Sequence, residues 1–228
     1  MIKLSKRLES ISSLVPKNSR VIDIGCDHGL LDIYLYQKKI SKKIIASDIN
    51  KNALNNARKN IEKNELTEYI ETRLGNGLDT LNSNDDINTI VIAGMGAHTA
   101  VGILKNNKDK LKKINTIIVQ SNTKIELLRK EIVKLNFIIE DEILIEDNKK
   151  MYTIIKFIKG NKKYNNQELF FGPILMKKNS RVFQKYNKLE LEKLNVLLRL
   201  LPKNKIIERY KIKRKIRMYK KMILRDIP

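Results

Sequence analysis

The sequence predicts an α/β fold: a doubly wound, mostly parallel sheet of seven strands, followed by a second, helical domain. Three observations carry that expectation. Over the first 160 residues, short apolar runs alternate with amphipathic helical patterns, the mark of repeated strand and helix units. The last two apolar runs are separated only by Glu146-Asp147-Asn148-Lys149-Lys150, a hairpin-sized turn that implies an antiparallel strand at the sheet edge. Past Gly160 the alternation stops, and the chain becomes helical and strongly basic.

Taken in order, Met1 to Leu8 reads as the start of an amphipathic helix and not as a secretion signal. Val21-Ile22-Asp23-Ile24 is the first strand, and a helix follows from about His28 to Lys38. A strand over Lys43 to Ser47 leads to Asn50, a helix cap, and to a helix reaching Lys63 with Ala53, Leu54, Ala57 and Ile61 on one face. Tyr69 to Leu74, Thr89 to Ala93 and Thr116 to Gln120 are the next strands, with helices over 97–104 and 124–135 after the last two. Phe137 to Ile145 and Met151 to Ile158 form the closing hairpin. Such an ending fits the methyltransferase variant of the doubly wound fold better than the six parallel strands of dinucleotide dehydrogenases.

The polar run Asn161 to Asn166 marks a boundary, giving domains 1–160 and 161–228. A long helix from about Gln167 to Leu201 repeats Leu175, Val182, Leu189 and Val196 every seven residues. Pro202-Lys203-Asn204 breaks it, and a second helix carries Ile212, Ile216, Tyr219 and Ile223. The pattern predicts an antiparallel helical coiled coil.

Charge separates the two domains. Residues 1–160 hold 27 Lys and Arg against 20 Asp and Glu, whereas residues 161–228 hold 20 against 5, most of the net +22 of the chain. Abundant Lys, Asn and Ile throughout match a genome poor in G and C, but that bias does not deplete acids in the tail. A polyanion partner is expected there, although a hairpin that only packs on itself fits the apolar spacing too. The longest apolar runs fall well short of a membrane span. Cys26 is the single cysteine and His28 and His98 the only histidines, too few for a metal cluster or a disulfide framework. The expectation is a cytoplasmic protein with no metal, no membrane and no obligate protein partner.

The chemistry concentrates where strands end. After the first strand comes Gly25-Cys26-Asp27-His28-Gly29, a turn in which glycine lets a cofactor approach the backbone. Asp48 closes the second strand, where an acid accepts hydrogen bonds from the two hydroxyls of an adenosine ribose. That pair serves NAD and S-adenosylmethionine alike. A pyrophosphate would be repelled by Asp27, which stands at the second glycine position of the dinucleotide motif, whereas a sulfonium is not. Asp27 is also placed to cap the next helix. Gly75-Asn76-Gly77-Leu78 reads either as a cover for an adenine ring or as a surface turn. Ala93-Gly94-Met95-Gly96 gives clearance for a planar base, and the Asp/Asn-Pro-Pro-aromatic tetrapeptide of exocyclic-amine methylases is absent, which favours a ring nitrogen. His98 reads as an ordinary polar residue. Gln120-Ser121-Asn122 sets amides at the carboxyl edge of the sheet, with Asn122 alternatively a helix cap.

Taken together with Leu4-Ser5-Lys6-Arg7-Leu8 and Phe171-Gly172-Pro173, these motifs resemble the bacterial tRNA adenine-N1-methyltransferases that modify position 22. The resemblance implies a Rossmann-like class I methyltransferase domain over 1–160, a coiled-coil tRNA-binding domain over 161–228, S-adenosyl-L-methionine as cofactor and tRNA as partner. It implies cofactor contacts at Asp23, Gly25, Cys26, Asp48, Ile49, Asn76, Gly77, Ala93, Gly94 and Met95. Substrate contacts fall to Arg7, Gly96, Gln120 and Asn122, and catalytic roles to Asp27, His28 and Arg7. Three positions depart from the family pattern: Asn76 replaces an acid, Ala97 a glycine and Ser121 a proline. The mechanism expected is direct attack of adenine N1 on the donor methyl, with Asp27 beside the developing positive charge. Another RNA as substrate, or a non-catalytic RNA-binding role on the same fold, are the competing readings.

Overall fold

Strands form where the β-branched runs stand. In the computed structural model, which describes residues 2–224, these are β1 (Ser19–Ile24), β2 (Ser41–Asp48), β3 (Ile70–Leu74), β4 (Thr89–Ala93), β5 (Thr116–Ser121), β6 (Phe137–Asp147) and β7 (Lys150–Lys159). Their order across the sheet is β3-β2-β1-β4-β5-β7-β6. The first five run parallel, and β7 lies antiparallel to both β5 and β6. The antiparallel strand is therefore inserted, not marginal as the hairpin alone implied, and β6 takes the edge. Burial explains the exchange: Ile154, Ile155 and Phe157 of β7 are sealed, while β6 exposes Glu140.

Alternating side chains feed two cores. On one face Val21, Ile44, Ala46 and Val91 pack with α1 (Lys6–Leu14), α2 (Leu30–Gln37) and α3 (Lys51–Lys63) through Ile11, Leu31, Leu54 and Ile61. On the other, Ile22, Ile90, Ile117 and Val119 meet α4 (Ala97–Asn106) and α5 (Ile125–Val133) through Ala100, Leu104, Leu128 and Ile132. Parallel strands covered on both faces need apolar centres, which Val21-Ile22, Ile44-Ile45-Ala46, Ile90-Val91-Ile92 and Ile117-Ile118-Val119 provide. Asn50 caps α3 as expected, its side chain accepting from the Asn52 and Ala53 amides at 2.8 and 3.3 Å.

The chain divides into two compact units after Ile174, later than the boundary expected at Gly160. A buried ion pair explains why the intervening segment stays with the sheet. Arg129 on α5 and Glu142 on β6 are 2% and 0% exposed and meet at 2.6 Å. The same guanidinium donates to the carbonyls of Leu169 and Phe170, at the end of α6 (Asn166–Phe171), at 3.2 and 2.9 Å. Glu142 Oε2 accepts from the Ile174 amide at 3.0 Å. Gly172 crosses this pair at φ +96°, and a Cβ there would lie 2.5 Å from Glu142 Oε2. Phe171-Gly172-Pro173 is thus a crossing that only glycine can make.

The long helix expected over 167–201 is three: α6, α7 (Pro173–Lys178) and α8 (Arg181–Leu200). Gly172 and Pro173 make the first break. Asn179, at φ +40°, and Ser180, whose Oγ accepts from the Phe183 amide, make the second. After Leu201 the chain doubles back into α9 (Ile206–Leu224), which packs along α8. α9 buries Ile216, Tyr219 and Met222, close to expectation. α8 does not follow its heptad: Phe183 and Asn187 are buried, and Leu189 and Val196 are exposed. Among the described residues, no helix is long and apolar enough to cross a membrane.

Replacing Arg129 by Met strands a buried carboxylate and is expected to lower stability by about 3–5 kcal/mol. Denaturant unfolding checks this, and Arg129→Met/Glu142→Leu should recover most of the loss. Gly172→Ala should be destabilising in the same assay, through both its Cβ clash and its positive φ.

Candidate active site

Strand order reverses beside β1, whose neighbours β2 and β4 leave in opposite directions, and a crevice opens at their carboxyl ends. The turn after β1 forms its floor. Gly25, at φ +80°, lets the Gly25 and Cys26 amides both donate to the Ser47 carbonyl, at 2.8 and 3.0 Å. Asp27 continues at φ +51°, a conformation that Asp tolerates better than most residues. Asp48 locks the turn from β2: its Oδ2 accepts from the Asp27 amide at 3.2 Å and its Oδ1 from the Asn50 amide at 2.8 Å. The chain then enters α2 through Gly29, with no side-chain cap, so Asp27 is not the helix cap that its position allowed.

A second set of contacts approaches from α1. The Arg7 guanidinium donates to Gln120 Oε1 at 2.9 Å, and the same oxygen accepts from the Gly94 amide at 3.0 Å. Gln120 Nε2 in turn donates to Asn122 Oδ1 at 2.7 Å. The buried Gln120 therefore ties the ends of β4 and β5 to α1. Asn122 serves this chain and caps no helix, since the residue preceding α5 is Lys124 and makes no side-chain cap. The Arg7 amide donates to Asp147 Oδ2 at 3.2 Å, and its guanidinium lies 5.8 Å from the centre of the Tyr152 ring. His98 stands apart, 2.8 Å from Lys124 Nζ.

Asp23 is buried, and its Oδ1 has no hydrogen-bond partner within the protein. Burial first, then the Asp48 carboxylate, push its pKa up to about 7, with Arg7 opposing. Asp32 on α2 lies behind it with both oxygens sealed and unpartnered, and burial followed by the Asp23 charge raises it well above the usual carboxylate range. Burial and the Asp32, Asp23 and Asp48 carboxylates push the Cys26 thiol up, so it is no nucleophile. Asp27 is different: its side chain is 73% exposed, and its Oδ1 lies 3.6 Å from His28 Nε2.

The cleft encloses about 380 Å³. It brings together Arg7, Asp23, Gly25, Cys26, Asp27, His28, Asp48, Ala93, Gly94 and Met95 from the sequence-derived set. Leu8, Leu30 and Leu31 also line it, and nothing in their apolar spacing distinguished them from core. Ile49, Asn76, Gly77, Gly96, Gln120 and Asn122 lie outside its wall. Ile49 is 69% exposed directly after Asp48, and Asn76 is exposed at the end of β3 without capping the turn that follows. An added Cβ at Gly96 would enter open space, so the fold itself makes no demand for glycine there. Ser121, where the related pattern has proline, is buried and bonds to Thr123. Among the described residues no group of three His, Cys, Asp or Glu side chains is arranged to hold a metal ion.

The sequence profile of the tRNA (adenine(22)-N(1))-methyltransferases matches residues 21–221. The Bacillus subtilis tRNA (adenine(22)-N(1))-methyltransferase is 30% identical over 190 residues, 81% of this chain and 79% of that protein. Among solved structures, M. capricolum TrmK with bound S-adenosyl-homocysteine superposes with a TM-score of 0.87 at 33% identity, covering 96% of this chain and 97% of that one. Streptococcus pneumoniae Sp1610 in complex with S-adenosyl-L-methionine gives a TM-score of 0.90 at 32% identity, covering 97% and 100%. On the evidence of a profile that spans most of its length and of solved structures that superpose along nearly all of it, this chain belongs to the tRNA (adenine(22)-N(1))-methyltransferase family.

Proposed function

We infer that this chain transfers a methyl group from S-adenosyl-L-methionine to N1 of adenine 22 in tRNA. The observation that carries the reading is the buried, unpartnered Asp23 oxygen in the wall of a cleft floored by the Gly25 turn. The donor fits that arrangement because its ammonium answers the orphaned carboxylate and its ribose answers Asp48, whose oxygens each keep a lone pair beyond one backbone bond. When bound, the donor supplies an electrophilic methyl group carried on a sulfonium.

Every other task falls to the chain. Gly25, Cys26, Ala93, Gly94 and Met95 shape the passage, and a Cβ at Gly25 would reach within 2.5 Å of Met95 Cε. Ile49 offers an exposed apolar face beside Asp48 for an adenine ring, with Asn76 and Gly77 across the next strand end. Adenine N1 lies on the pairing edge of its base, so the target must leave its stack before it enters. Asp27, solvent-facing at the mouth with His28 beside it, offsets the positive charge gained by the methylated ring or accepts a proton from its exocyclic amine. Arg7 is held in place by Gln120 and orients the incoming nucleotide, with Gly96 and Asn122 at the rim. The basic domain beyond the sheet grips tRNA phosphates, and its segment 211–221 carries seven Lys or Arg and no acid. A tRNA substrate supports a cytoplasmic location.

Purified protein given unmodified tRNA and the methyl donor should yield 1-methyladenosine at position 22 on nuclease mapping by mass spectrometry. Methylation at another nucleotide, or none, contradicts the reading. Donor affinity should follow Asp23: between pH 8 and pH 6 it weakens about tenfold as this carboxyl takes up its proton. Calorimetry should show the Asp23→Asn variant binding poorly, with no such slope. Folding raises this acid above its unfolded value, so the native state holds the extra proton between the two values and loses stability as pH rises through that window. Asp23→Asn should therefore melt higher than the parent at pH 8 even as donor binding fails. Asp27→Asn should leave melting and donor affinity intact and lower kcat by roughly a hundredfold.

A further inference from the structure

The helical hairpin carries an apolar surface that phosphate binding does not explain. On α8, Leu189, Val196, Leu197 and Leu200 line a groove of about 400 Å³ together with Glu192 and Lys193. Leu200 is 76% exposed and Val196 53%. α9 opens with Ile206 and Ile207, 73% and 67% exposed, and then Tyr210 at 65%. Arg209 Nη1 donates to the Leu198 and Leu201 carbonyls, at 2.9 and 2.6 Å, and pins the first turn of α9 to the last turn of α8. Both apolar sets therefore lie toward the same end of the hairpin. The shaft beyond them is the run 211–221, with seven Lys or Arg and no acid.

Single exposed aliphatics are ordinary, but seven large apolar side chains exposed toward one end of a helical hairpin mark an interaction surface. Two occupants match an apolar end. A second copy of the chain would cover it, but would bring together two domains that each hold 20 Lys and Arg against 5 acids. A folded RNA offers phosphates to the shaft and the flat, uncharged faces of unpaired bases to the end, so it satisfies both parts at once. We propose that the apolar end centred on Leu200, Ile206, Ile207 and Tyr210 packs against unpaired nucleobases of the tRNA while the shaft holds its backbone. The proposal rests on tRNA being the substrate, and it assigns the hairpin a base-reading contact besides its charge.

Stacking and ion pairing answer differently to salt. Phosphate contacts release counterions and set the slope of log Kd against log salt, whereas base stacking leaves that slope alone. Tyr210→Ala and the double variant Leu200→Gln/Ile207→Gln alter exposed side chains, and unchanged melting verifies their folding. Fluorescence anisotropy with unmodified tRNA at several salt concentrations should show Kd raised about tenfold or more with the slope of the parent, consistent with the size of base–aromatic stacking. Tyr210→Phe should retain the parental Kd, and Lys213→Ala/Arg217→Ala should flatten the slope instead. Donor affinity should be untouched in all of them. Unchanged tRNA affinity in the apolar variants, or a flattened slope like that of the lysine and arginine variants, overturns the stacking contact while leaving the methyltransferase reading intact. A parent that sediments as a dimer and becomes monomeric on Leu200→Gln/Ile207→Gln assigns the patch to self-association and equally overturns it. A parent that neither binds nor methylates tRNA fails both readings together.

Discussion

One backbone carbonyl, that of Ser47, holds the floor on which the site is built. By accepting from two successive amides, Gly25 and Cys26, it draws the end of β1 over the end of β2 and fixes the direction in which α2 departs. Only a residue free to adopt φ +80° can present both amides to one oxygen, which is the physical demand behind the glycine. Asp48, the residue after Ser47, then reaches back to the Asp27 amide, so one strand end secures both the backbone and the acids of the turn.

Electrostatically the site runs against the rest of the molecule. A chain of net charge +22 gathers Asp23, Asp27, Asp32 and Asp48 around one turn, and burial makes the two sealed ones, Asp23 and Asp32, harder to ionise than ordinary carboxyls. Such an arrangement costs stability in the absence of a cation, and a cationic donor relieves it. Arg7, which also lines the cleft with its guanidinium tied to Gln120, only partly offsets the effects of burial and Asp48 on Asp23. Function and stability thus pull Asp23 in opposite directions, as they commonly do where a binding site keeps a charge in reserve.

Sequence periodicity revealed the strands because buried parallel strands need aliphatic centres, and the short runs Ile44-Ile45-Ala46, Ile90-Val91-Ile92 and Ile117-Ile118-Val119 supply them between helical patterns. The Gly25 turn and Asp48 were legible because each task suits few residue types. Three features were not. Arg129 and Glu142 look like ordinary surface charges on a helix and an alternating strand, and only the fold seals them together. Asp32 sits among Leu31 and Ile33 on a helix whose inward face could not be assigned without its neighbours. The heptad through Leu189 and Val196 is real in spacing, but Phe183 and Asn187 are buried instead, leaving the regular stripe outside. The place of β7 between β5 and β6 was equally hidden, since hairpin length says which strands pair and not which one faces the sheet.

The most direct test of this account is a crystal structure of the protein grown with S-adenosylhomocysteine. The ribose hydroxyls should lie on Asp48 and the amino group on Asp23 Oδ1, with the thioether over the Gly25 turn. Product bound elsewhere on the chain, or in this cleft with Asp23 still unpartnered, would contradict it.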